Sequence, residues 1–146
     1  MAPLLLPLLF ANGAITLRSL LFGDQSQSPS PGNPSLVVAG VHDALSAKVF
    51  ASAGAKVLFL SGFGVSATRL GQPDAGLLTL NEMEDTARHV VAAAAVGSKS
   101  APPPVIVDGD TGYGGAANIR RTVRGLAAAG VARRLGPELP AGRHQP

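Results

Sequence analysis

The chain has no cysteine and no tryptophan, a single tyrosine, and charged residues at only 14% of its 146 positions. Without cysteine there is no disulfide scaffold, no thiolate-bound zinc and no cysteine nucleophile. So low a charge density, beside 46% apolar residues, excludes a highly charged disordered chain. No apolar run reaches the roughly 20 residues of a membrane-spanning helix, so no membrane partner is expected. Acidic residues are scarce in one region. After Asp110 the only acid is Glu138, while Arg120, Arg121, Arg124, Arg133, Arg134 and Arg143 all follow it. The net charge of +3 therefore belongs to the C-terminal quarter. No aromatics interleave with these arginines, so no nucleic-acid partner is expected; a solvated helix face followed by a loose tail accounts for them.

What is present is enough for one domain: a chain of this length hides roughly two-thirds of the surface that its unfolded form exposes. The 18 glycines and 12 prolines indicate many loops. The opening MAPLLLPLLFANGA is apolar, but no Lys or Arg precedes it and the first basic side chain is Arg18, so it fits no targeting class well. A cytoplasmic location is expected, with a chloroplast or mitochondrion as the alternative. Residues 17–23, LRSLLFG, read as a short helix, and 24–35 as a polar Ser/Pro-rich linker. Residues 1–35 are thus an extension and linker, 36–132 the folded domain, and 133–146 an irregular tail.

Within the domain, short apolar runs alternate with helical patterns. LVVAGV (36–41), KVLFLSG (56–62) and VIVDGD (105–110) read as buried parallel strands. Asp43 is placed to cap a helix that stops at Gly54. Thr79 and Glu82, three residues apart, form a capping box ahead of LNEMEDTARHVVAAAA. A Gly-rich loop is expected after the second strand, and a helix, AANIRRTVRGLAAAG, after the turn TGYGG. Three strand–helix units imply an α/β fold with a parallel sheet. From Val131 the pattern stops: VARRLGPELPAGRHQP begins where a fourth strand is due, and is broken by Gly and Pro.

Ligands of parallel α/β folds gather at the carboxyl ends of the strands. Here those ends carry Gly40-Val41-His42-Asp43, Ser61-Gly62-Phe63-Gly64 and Asp108-Gly109-Asp110. Residues two apart on a strand share a face, so Asp108 and Asp110 are expected to converge, and crowded carboxylates call for a cation or a shared proton. Oxygen donors suit a hard ion such as Mg²⁺; the alternative is one aspartate capping a helix and the other solvated. Free backbone N–H groups at Ser61–Gly64, with the Ser61 hydroxyl, suit a carboxylate or enolate oxygen, unless the segment is a plain tight turn. Gly62-x-Gly64-x-x-Ala67 mimics a dinucleotide fingerprint only weakly. Asp74 lies in a long loop of the kind that forms lids, or is a turn residue. His42 is either an acid–base group or structural, and Tyr113 either lines the pocket or packs.

Together these strings resemble the isocitrate lyase and phosphoenolpyruvate mutase superfamily. The carriers are GVHDALSAKVFASAGAKVLFLSGFGVSATRLGQPDAGLLTLNEMEDTARHV and VIVDGDTGYGGAANIRRTVRGLAAAGVA, within residues 36–132. The resemblance implies a (β/α)8 barrel, a homo-oligomer, and Mg²⁺-dependent lyase or mutase chemistry on small carboxylates or phosphonates through an enolate-like intermediate. It implies that Asp108 and Asp110 hold Mg²⁺, and that Asp74 supports the ion's water shell from the lid loop. Ser61, Gly62, Phe63 and Gly64, with His42 and Asp108, would bind the substrate.

Departures from the family pattern accompany the match. His42 stands where many relatives carry an aromatic residue, and Gly109 where alanine is usual. The family continues into a strand ending in Glu-Asp and a later Lys-Lys-Cys-Gly-His loop, and neither is in this sequence. The expectation is a partial barrel that stops after its third βα unit, inactive alone, with a non-catalytic fragment that associates with a full-length homologue as the alternative. Against a barrel of about 250 residues, 36–132 is a minority share.

Overall fold

The three apolar runs form one parallel sheet in the computed structural model, which describes Leu17, Leu20 and residues 36–131. The strands are β1 (Val38–Val41), β2 (Val57–Leu60) and β3 (Val105–Val107), in the order β1-β2-β3. Val41 aligns with Leu60, and Leu60 with Val107. Three parallel βα units thus build a partial TIM-barrel-like fold. The sequence expectations for most of 1–35 and for 133–146 lie outside the described residues; Leu17 and Leu20 are helical, and Leu17 is buried.

Position in the sheet decides burial. β2 is central, and Val57, Leu58 and Leu60 are wholly buried. β1 departs from the expected buried strand: Val37 is 79% and Val38 42% exposed, and only Val41 is fully covered. The reason is neighbours. β1 pairs on one side only among the described residues, and an apolar side chain is buried only where something packs on it. All three strands are also shorter than their apolar runs, because ladder pairing rather than hydropathy sets their ends.

The helices follow their caps. Helix α1 (Ala44–Ser52) starts at Asp43, whose Oδ1 accepts the Ser46 N–H at 2.7 Å, while Ser46 Oγ accepts the Asp43 N–H at 3.2 Å. This reciprocal box satisfies two donors that the first turn leaves free, and it holds the Asp43 carboxyl below its ordinary pKa, chiefly through the Ser46 N–H bond. Helix α2 (Gly62–Val65) runs into a π-helical turn at Ser66–Leu70, where a Gly-rich loop was expected. Ser61 supplies the cap that starts it, accepting the Gly64 N–H, and Gly71, at φ +63°, ends it. Arg69 ties this turn to the next helix, donating to Asp85 Oδ2 at 2.9 Å and Thr86 Oγ1 at 3.1 Å.

Helix α3 (Leu80–Gly97) begins at the expected Thr79/Glu82 box. It buries Met83, Ala87, Val90 and Ala94, one stripe at helical spacing, into the core with Val41, Leu58, Leu60, Val65 and Val105. Helix α4 (Ala116–Ala128) buries Thr122 and Leu126, four residues apart, and exposes Arg120, Arg121 and Arg124. The arginines are thus the solvated face that the charge pattern implied. No described helix is long and apolar enough to cross a membrane.

Candidate active site at the carboxyl ends of the strands

The ladder delivers the candidate residues in a row. Past the aligned row Val41, Leu60 and Val107 come His42, Ser61 and Asp108. Two further backbone bonds extend the register: Ser61 N–H to Val41 O at 3.1 Å, and Asp108 N–H to Leu60 O at 3.0 Å. Three residues far apart in the chain, at positions 42, 61 and 108, are therefore neighbours at one end of the sheet.

Close packing fastens them. The Gly62 N–H donates to Asp108 Oδ2 at 3.2 Å, so this amide orients the carboxylate and is not the free donor that the sequence suggested. A side chain at Gly62 would place its Cβ 3.0 Å from the same oxygen; glycine lets the two backbones approach. At Gly64 a Cβ would lie 2.8 Å from the His42 Cβ, which brings the start of α2 against the end of β1. The His42 side chain is half-exposed, with Nε2 3.8 Å from Asp43 Oδ2. Phe63 is exposed, its ring available to a ligand or another chain segment.

Asp110 reaches the site by another route than strand alternation. β3 ends at Val107, and Asp110 sits in the following turn at φ +46°. Its N–H donates to Asp108 Oδ1 at 3.0 Å, so the Asp110 backbone is held against the Asp108 carboxylate although the two residues do not lie on one strand face. Neither aspartate caps α4, whose N-cap is Gly115 with no side-chain bond. Tyr113, at φ +58°, completes the turn. Burial pushes its phenol up to about 12, with the negative charges of Asp110, Asp108 and Asp74 adding to the shift. One phenol thus senses all three candidate carboxylates.

Asp74 is exposed in the loop between the π-helical turn and α3. The root of that loop is fastened by Ser66, which is buried and whose hydroxyl is shared between the Gln72 carbonyl at 3.1 Å and the Pro73 carbonyl at 3.0 Å. Between the start of α3 and the loop that leads into α4 opens a cleft of about 540 Å³, bordered by Leu78, Thr79, Asn81, Asp110, Tyr113 and Arg121. Sequence reading gave Ser66, Asn81 and Arg121 no part here; all sit in helical or turn segments whose pattern carries no sign of what they face.

Among the described residues, no group of three or more His, Cys, Asp or Glu side chains forms a metal cluster. The donor set nevertheless fits Mg²⁺ chemically, since Asp108 and Asp110, joined through the Asp110 amide, offer oxygen donors to an ion that keeps several waters and takes few protein ligands.

The chain matches a known family in both sequence and fold. The family profile of phosphoenolpyruvate phosphomutase matches residues 30–133. The chain belongs to the phosphoenolpyruvate mutase/isocitrate lyase superfamily. It is 48% identical over 97 residues to 2,3-dimethylmalate lyase of Eubacterium barkeri, covering 66% of this chain and 31% of that protein. A structure of oxaloacetate acetylhydrolase in complex with the product oxalate superposes with a TM-score of 0.64 at 37% identity, covering 80% of this chain and 36% of the other. A phosphonopyruvate hydrolase complex with oxalate and Mg²⁺ gives a TM-score of 0.56 at 31% identity, covering 64% and 30%. The chain spans about a third of the length of these superfamily members.

Proposed function

We propose that residues 36–131 carry the cation- and carboxylate-holding part of a lyase or phosphonomutase site, acting on small keto- or hydroxy-carboxylates or phosphonates through an enolate-like intermediate. The observation that supports this best is the row His42, Ser61 and Asp108 with Asp110 beside it. Asp108 and Asp110 would hold Mg²⁺, Asp108 being pre-oriented by the Gly62 and Asp110 amides. When bound, the ion supplies positive charge where an enolate oxygen develops its negative charge. Ser61, with the Phe63 backbone, holds the substrate carboxylate, while Gly62 serves it indirectly by fixing Asp108 and Gly64 by giving its N–H to the Ser61 hydroxyl. Asp74 supports the ion's water shell from its loop, and His42 contacts the substrate from the β1 side.

These groups line one wall of a ligand site, and among the described residues the three strands supply no opposite wall. On this reading the chain alone binds Mg²⁺ and a small dicarboxylate without turning a substrate over. Calorimetric titration with Mg²⁺ and oxalate tests it. Binding by the unaltered chain that Asp108→Asn and Asp110→Asn abolish is the expected result, and equal heats from all three proteins refute it. Steady turnover of a keto acid by the chain alone would overturn the half-site view.

A second reading is favoured by the sheet edges. Among the described residues β1 and β3 each have one unpaired side, and Val37 and Val38 are exposed. Such edges are templates for pairing, which suits association with a longer family member. Co-purification with that relative supports it, and a lack of complex at micromolar concentration argues against it.

A further inference from the structure

We infer that Thr122 is a positioning residue for this site: its hydroxyl, from inside α4, clasps the Asp110–Tyr113 loop in the conformation that holds Asp110 against the Asp108 carboxylate. The inference rests on the reading of Asp108 and Asp110 as a cation-holding pair.

The loop is backbone that L-residues avoid. Asp110, Gly112, Tyr113 and Gly114 all have positive φ, at +46°, +94°, +58° and +135°. Two of these four are not glycine, so the conformation persists only where surrounding bonds over-determine it. Those bonds form a continuous frame. The Gly62 N–H holds Asp108 Oδ2, the Asp110 N–H holds Asp108 Oδ1, and the Gly112 N–H closes the turn onto Gly109 O at 2.9 Å. All three tie the loop to itself or to the start of α2. The anchor from the helix layer is Thr122, which is only 3% exposed and donates to the buried Gly112 carbonyl at 2.9 Å.

Gly112 is therefore held at both polar atoms, its N–H by Gly109 and its C=O by Thr122. Removing the hydroxyl leaves a buried carbonyl without its partner and frees the turn to relax toward negative φ. Asp110, two residues upstream, swings with it. Thr122 touches no candidate ligand; it acts through the loop backbone, as outer partners of a metal site do.

The test uses two readouts on the full chain. Mn²⁺ binding, followed by electron paramagnetic resonance, reports the carboxylate pair. The emission of Tyr113, the chain's one tyrosine with no tryptophan to obscure it, reports the loop without metal. Thr122→Val is expected to weaken Mn²⁺ binding by about 10- to 100-fold and to raise Tyr113 emission as the phenol leaves the quenching carboxylates. Thr122→Ser keeps the hydroxyl and restores both signals. Thr122→Cys, a weaker donor of similar size, falls between them, and serves where valine costs the fold by circular dichroism. Unchanged Mn²⁺ affinity and unchanged emission in both Thr122→Val and Thr122→Cys overturn the clasp while the cation pair stands. No Mn²⁺ binding by the unaltered chain overturns the cation pair and the clasp's part in it; the emission series then shows only whether Thr122 sets the loop.

Discussion

Replacing Gly97 by alanine tests the tightest helix contact in the fold. Helices α1 and α3 make the most extensive helix–helix contact among the described elements, and Gly97 closes one end of it. An added Cβ would lie 2.7 Å from the Lys48 carbonyl oxygen and 3.0 Å from its Cα. Both atoms are backbone of α1, which cannot rotate away, so the helices must part. The Ser52 hydroxyl, which donates to the Gly97 carbonyl at 3.0 Å, must move with them. Overpacking of this kind costs about 1–3 kcal/mol. The gain from removing a glycine is about 0.5–1 kcal/mol within a helix, and smaller at Gly97, the last residue of α3. The net is a loss of about 1–2 kcal/mol, or a fall in Tm of at least about 4 °C.

Gly125→Ala is the matched control. It lies inside α4, and the nearest obstruction to its new Cβ is the Glu84 carboxylate, the far end of a flexible side chain. There the helix gain of about 0.5–1 kcal/mol is realised, and Tm rises. Thermal unfolding followed by far-UV circular dichroism reads both. The reasoning is refuted if Gly97→Ala raises Tm, or if the two substitutions shift it in the same direction.

Asp110→Gly separates stability from binding: it relieves a left-handed L-residue, worth about 1–2 kcal/mol, against a glycine entropy cost of about 0.5–1 kcal/mol. Tm should hold or rise while Mn²⁺ binding disappears, and retained binding would remove Asp110 from the site. Tyr113 gives a pH signature. Its absorbance should titrate near 12 instead of the ordinary 10.0. Because the folded value is the raised one, its contribution to stability is complete below pH 10 and is lost as the pH climbs toward 12. A midpoint near 10 in the folded chain contradicts its half-buried, anionic setting.

Much of this was legible in the residues. Asp43, Thr79 and Glu82 announce helix starts because short polar side chains satisfy the first-turn amides wherever the helix lies. The apolar runs announce strands, and the polar residues at their ends, His42, Ser61 and Asp108, announce the row that the ladder assembles. The conformation of 62–65 was not legible, since glycines that read as a loop become a helix once Ser61 caps it. Nor was Asp110 legible as a turn residue, because strand alternation holds only as far as the ladder does, and the ladder stops at Val107.

The sequence by itself determined the three strands, the longer helices with the caps at Asp43 and Thr79, and the family, all of which depend on side-chain chemistry and local spacing. Only the tertiary structure decided which amide faces which carboxylate, how Asp110 reaches Asp108, and that a threonine ten residues beyond Gly112 holds its carbonyl. Those contacts join segments through space, and a threonine on the inner face of an amphipathic helix reads the same whether it merely packs or clasps a loop.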